Sequence, residues 1–80
     1  MEEKIKNLKI GQTLWYAYDD RPIDGCGVSK CIIKELHDDH MILQDEYSSL
    51  WIEYEDYVGE KETSIGVFDS EQEAKDWLGI

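Results

Sequence analysis

The chain has 80 residues, with 19 Asp and Glu against 8 Lys and Arg, a formal net charge of −11. That length holds one domain and one core, and a 41% apolar fraction with 3 Trp, 5 Tyr and 1 Phe excludes an intrinsically disordered chain. The acid excess argues against direct binding to nucleic acid or to anionic membranes, which both need a basic face, and no apolar run is long enough to span a bilayer.

In chain order, residues 1–9 are a charged lead-in with room for one helical turn. Gly11 breaks it before Gln12–Tyr18, a run of β-formers that predicts the first strand. Residues 19–25 hold Pro22 and an Asp-Gly pair and predict a turn. A second strand is expected over Gly27–Glu35, with Val28, Ile32 and Ile33 as core candidates. His37–His40 is a polar reversal, Met41–Gln44 a third strand, and Tyr47–Ser49 the next turn. Leu50–Glu55 alternates, with Leu50, Ile52 and Tyr54 on one face and Trp51, Glu53 and Glu55 on the other, the pattern of a half-buried antiparallel strand. After a loop over Gly59–Ser64, Ile65–Phe68 predicts a fifth strand. Ser70-Glu71-Gln72-Glu73 matches a capping box. Ala74, Trp77 and Leu78 then form an apolar stripe facing the barrel, and Gly79 ends the helix. A helix this short does not persist alone, so its stripe must dock.

The fold class expected is mainly β: a small five-stranded antiparallel SH3-like barrel, or a strongly bent sheet, with one short C-terminal helix acting as a plug over residues 1–80 as a single domain. The opening MEEKIKNLKI lacks the basic start and apolar run of a signal peptide, which predicts a cytoplasmic protein. Two cysteines, Cys26 and Cys31, fit that compartment as reduced thiols.

Charge is unevenly spread along the chain. Residues 1–44 hold eight acids and six bases, a balance of −2, while residues 45–80 hold eleven acids and two bases, a balance of −9. Such a surplus favours a basic protein surface as partner, reached by electrostatic steering, although it also serves solubility. The acidic run Glu53, Glu55, Asp56, Glu60 and Glu62 is the candidate docking site. Trp51 shares the outward strand face with Glu53 and Glu55, and an aromatic ringed by acids is what a hot spot for a cationic partner requires.

Two further constellations are weaker. Cys26, Cys31, His37 and His40 form C-x4-C-x5-H-x2-H, all zinc-competent ligands at looser spacing than a zinc knuckle. His37 and His40 beside Asp38 and Asp39 suggest acid–base chemistry, but no nucleophile, oxyanion-hole or phosphate-cradle motif accompanies them. No catalysis and no cofactor are expected. The aromatics exceed what one small core holds, so some must lie at a rim.

The opening K-I-G-Q-T-L-W-Y and the ending V-F-D-S-E-Q-E-A-K-D-W-L resemble small SH3-like β-barrel proteins of Firmicutes phages and mobile elements. In those proteins a V-G-D-x-V-Y-Y opening strand and a V-F-x-S/T-x-E-E-A helix start bracket a five-stranded barrel. This sequence departs in having Gln12 where Asp is usual and Gln72 before Glu73. The resemblance implies a five-stranded barrel and a phage or prophage origin, with no activity assigned to the family as a whole. Small acidic phage proteins often inhibit host nucleic-acid-binding machinery, so the function expected is an inhibitor, of anti-CRISPR or DNA-mimic type, that blocks a basic nucleic-acid-binding host protein by steric and electrostatic competition. A non-catalytic adaptor in a larger assembly and a small zinc-binding regulator are the alternatives.

Overall fold

The structure, a computed structural model, describes residues 3–21, 23, 25–59 and 64–80. Its elements are α1 (Glu3–Lys6), β1 (Thr13–Asp20), β2 (Gly25–Leu36), β3 (His40–Gln44), β4 (Ser49–Glu53), α2 (Tyr54–Val58), β5 (Ile65–Phe68) and α3 (Glu71–Leu78). The strands form one antiparallel sheet of order β4-β3-β2-β1-β5, curled into a half-barrel. This is the strongly bent form of the expected small barrel.

Alternation along each strand sorts the side chains onto two faces. Leu14, Cys31, Ile33, Met41, Leu43, Ile52 and Val67 point inward and form the main core, which Leu8, Tyr54 and Tyr57 close from outside the sheet. Adjacent Ile32 points the other way and is 49% exposed, so of the expected pair Ile32-Ile33 only Ile33 is core. A bulge between Ile33 and Glu35 shifts the register of β2 against β3. Strict alternation would turn Glu35 inward and Leu36 outward. The extra residue resets the phase, so Leu36 packs on the core and Glu35 stays on the outer face.

The fourth strand departs from the alternating pattern at its end. β4 stops at Glu53, and Tyr54 opens the one-turn helix α2, with Glu55 and Asp56 in its first turn and Gly59 at its C-cap with φ of 78°. Tyr54 and Tyr57 lie three apart and bury together, a helical spacing hidden inside the strand-like alternation. The Asx-type turn before β4 is held by Asp45, whose Oδ1 accepts from the backbone N–H groups of Tyr47 and Ser48, both at 2.7 Å.

Helix α3 does not plug the half-barrel. It lies on the outer face of β1, β2 and β5, where Ala74 and Leu78 bury against Ala17, with Trp15, Cys26, Val28 and Phe68 around them. Trp77, expected in the buried stripe, is 42% exposed and leans on Phe68 with ring centroids 5.8 Å apart. Gly66 permits this closeness: a Cβ there would sit 2.9 Å from the Phe68 ring and 3.6 Å from Trp77. The capping box is half as written. Ser70 Oγ accepts from Glu73 N at 3.2 Å, but Glu73 reaches Asp69 N, one residue upstream of the cap, at 3.3 Å. The C-terminal end is held by Arg21, whose Nη2 donates to the Leu78 carbonyl while its fork pairs with Asp19.

Urea unfolding should show Leu78→Ala costing about 3 kcal/mol, through a lost transfer term plus a cavity, and Ser70→Ala about 1 kcal/mol, through the lost cap. The two hydrogen bonds from Arg21 hold the Asp19 carboxyl down to about 2. Its contribution is therefore complete above the unfolded value of about 4 and disappears as pH falls through about 2. Stability measured across that window should decline, and Asp19→Asn should flatten part of the slope.

Candidate docking face

An eight-residue helix is ~12 Å long, whereas five strands at ~4.8 Å spacing span ~19 Å. α3 therefore covers only part of the outer face, and among the described residues the part built from the end of β2, β3 and β4 remains open. Register dictates what stands there. Ile42 is opposite both Glu35 and Trp51, and His40 is opposite Glu53. The turn is closed by His37 N donating to the His40 carbonyl at 2.9 Å.

Trp51 is a diagonal neighbour of His40 across β3 and β4, within reach for a large side chain. The two rings stack at 4.5 Å and 21°, and His37 stacks on the far side of His40 at 4.5 Å and 13°. The result is a three-ring ladder, His37–His40–Trp51, standing on the outer face. Each imidazole is held at its edge by a carboxylate: His37 Nε2 is 2.7 Å from Glu35 Oε1, and His40 Nδ1 is 2.6 Å from Asp39 Oδ1. The hydrogen bond from His40 holds the Asp39 carboxyl below its ordinary value. The Tyr54 hydroxyl donates to the His37 carbonyl, so α2 pins the turn that carries the ladder. Burial pushes the Tyr54 hydroxyl up, which keeps it a donor.

Trp51, 56% exposed, is on the outward face as expected. Its expected acidic surroundings are only partly there. Glu53 shares the strand face, but Glu55 belongs to α2, and Asp56 is buried at 7% exposure and is not on a docking surface. Glu60 and Glu62 lie outside the described residues. The acids that join Glu53 and Glu55 at this end of the sheet come instead from the β2–β3 hairpin: Glu35, Asp38 and Asp39. Among the described residues of these segments, five carboxylates face one lysine, Lys34. Two turns place the hairpin acids here: the two-residue turn at Asp38-Asp39 sets β2 against β3, and the Asp45–Ser48 turn sets His40 opposite Glu53.

The C-terminal acids as a group are not gathered on one side. Asp45 and Glu46 occupy the β3–β4 turn at the opposite end of those strands, beside Lys30, and Glu71, Glu73 and Asp76 ride on α3.

The Cys/His set does not assemble. Cys31 points into the main core and Cys26 into the cluster under α3, on opposite faces of the sheet. At ~3.3 Å per residue, the stretch of β2 from Cys26 to His37 just past its end also covers roughly 36 Å of chain. Among the described residues no group of three or more potential ligands is placed to hold a metal ion, so the zinc reading is overturned by strand parity. Burial pushes the Cys31 thiol up to about 11. Thiol labelling of native protein near pH 8 should therefore modify Cys26 alone, with Cys31 reacting only on unfolding.

No described helix is long and apolar enough to cross a membrane. No family model, curated protein or solved structure matches this chain.

Proposed function

We propose that this chain is a non-catalytic binding module that docks its open outer face, centred on Trp51, onto a basic protein surface. The observation that carries this reading is the ladder: an exposed indole backed by two imidazoles and bordered by Glu35, Asp38, Asp39, Glu53 and Glu55. A large, rigid aromatic supplies apolar contact area, and the carboxylates orient a lysine- or arginine-rich partner around it. The net charge of −11 adds long-range attraction and speeds encounter.

The likeness to mobile-element proteins supports a more specific form. The partner is then a nucleic-acid-binding effector of the bacterial host, inhibited because this domain occupies or screens its basic groove, as anti-CRISPR and DNA-mimic proteins do. Competition of that kind needs only affinity and bulk.

A second reading is favoured by one observation. Ile32, Ile42 and Trp51 lie on the same open face, with Ile32 and Trp51 exposed, and a contiguous apolar face serves an adaptor that binds chiefly by burial. The two readings differ in salt dependence. With a nona-arginine peptide as probe, the acidic-docking reading expects affinity to fall about tenfold between roughly 0.05 and 0.3 M salt. Trp51→Ala should weaken binding by tenfold or more, of the order of 2 kcal/mol, and Glu53→Gln should flatten the salt slope. A peptide that does not bind, or binds equally well to Trp51→Ala, would refute the docking face. Salt-insensitive binding to a neutral apolar peptide would favour the adaptor.

A further inference from the structure

We propose that protonation of the His37–His40 pair controls the docking face, so that a cationic partner binds well above neutrality and is released as pH falls toward the mid-fives. This rests on the docking reading above and adds its regulation. The chain has 2 histidines, and both stand in the ladder, one against the other and the second against Trp51. Imidazole is the side chain whose charge changes between about pH 5 and 8.

The geometry assigns where the protons go. A carboxylate only accepts, so the nitrogens beside Glu35 and Asp39 carry hydrogens: Nε2 of His37 and Nδ1 of His40. His37 Nδ1 and His40 Nε2 are left to take up a proton. A first imidazolium stacked on a neutral ring is readily accommodated. A second places two like charges face to face with centroids 4.5 Å apart, so each proton bears on the other.

Every element packed against the rings contributes charged or titratable groups. β2 offers Glu35 and Lys34, the turn Asp38 and Asp39, β4 Glu53 opposite His40, and α2 Tyr54 and Glu55. With neutral rings the five carboxylates and Lys34 sum to −4, and two protons reduce this to −2. Repulsion within the pair also loosens the stack that steadies the Trp51 indole. Both effects act in one direction, against a cationic partner.

The test uses the full chain. The two imidazole Cε1–H resonances and the Trp51 indole N–H are followed by NMR from about pH 8 to 5, in the native protein and in His37→Gln. Nona-arginine affinity is measured at constant salt near pH 7.5 and 5.5, in the native protein and in the His37→Gln/His40→Gln double variant. Two unequal imidazole steps are expected, the His40 curve becoming a single step in His37→Gln, with the Trp51 resonance moving alongside His40. Affinity should fall about fivefold or more on acidification in the native protein and less than about twofold in the double variant. Independent imidazole steps, or the same affinity ratio in both proteins, would overturn the proton control. Absence of peptide binding near pH 7.5 would refute the docking reading, leaving the titration to decide separately whether the pair is coupled.

Discussion

A sheet has two faces, and one short helix cannot cover the whole of the second. The inner face of this half-barrel is filled by Leu14, Ile33, Met41, Leu43, Ile52 and Val67 and sealed by Leu8, Tyr54 and Tyr57. On the outer face α3 settles over the small residues Ala17 and Gly66, which let the helix approach closely, with Val28 beside them. Arg21 then fastens its C-terminal end by donating to the Leu78 carbonyl. What α3 leaves uncovered is decided by these packing choices, and it is the surface on which Trp51 stands.

The same logic explains why the open region is ordered. Trp51 is held by His40, His40 by His37 and Asp39, and His37 by Glu35, while the Tyr54 hydroxyl fixes the turn from below. The bulge after Ile33 is the small backbone irregularity that makes this possible. It keeps Leu36 in the core while leaving Glu35 beside the rings. A rigid aromatic presented this way binds with little loss of side-chain freedom, which is how a small surface gains affinity.

Much of the fold was legible because alternation and capping are local. The five strands, the Ser70 cap and the Gly79 stop follow from residues close together in sequence. Several of the misreadings come from strand parity or from a change of period. Cys26 and Cys31 are five apart on one strand and so face opposite ways, which dissolves the zinc set. Ile32 and Ile33 are neighbours, and only one of them can be core. Tyr54 keeps strand alternation with Ile52 and helical spacing with Tyr57, and the tertiary contacts of α2 chose the helix. The docking site was half legible: Trp51 and Glu53 follow from alternation in β4, whereas Glu35, His37, Asp39 and His40 come from a different hairpin. Only the pairing register brings the two together, and register is a long-range property that a linear run of acids does not report.

The central claim is that partners meet this chain on the open end of its outer face. Chemical-shift mapping of the isotopically labelled protein against a cationic peptide tests it most directly. The account predicts that perturbed backbone amides cluster at residues 35–42 and 49–55, with α3 and the β3–β4 turn little changed. Perturbations concentrated on Glu71–Asp76 or Asp45–Ser48, or spread evenly over every exposed carboxylate, would contradict it.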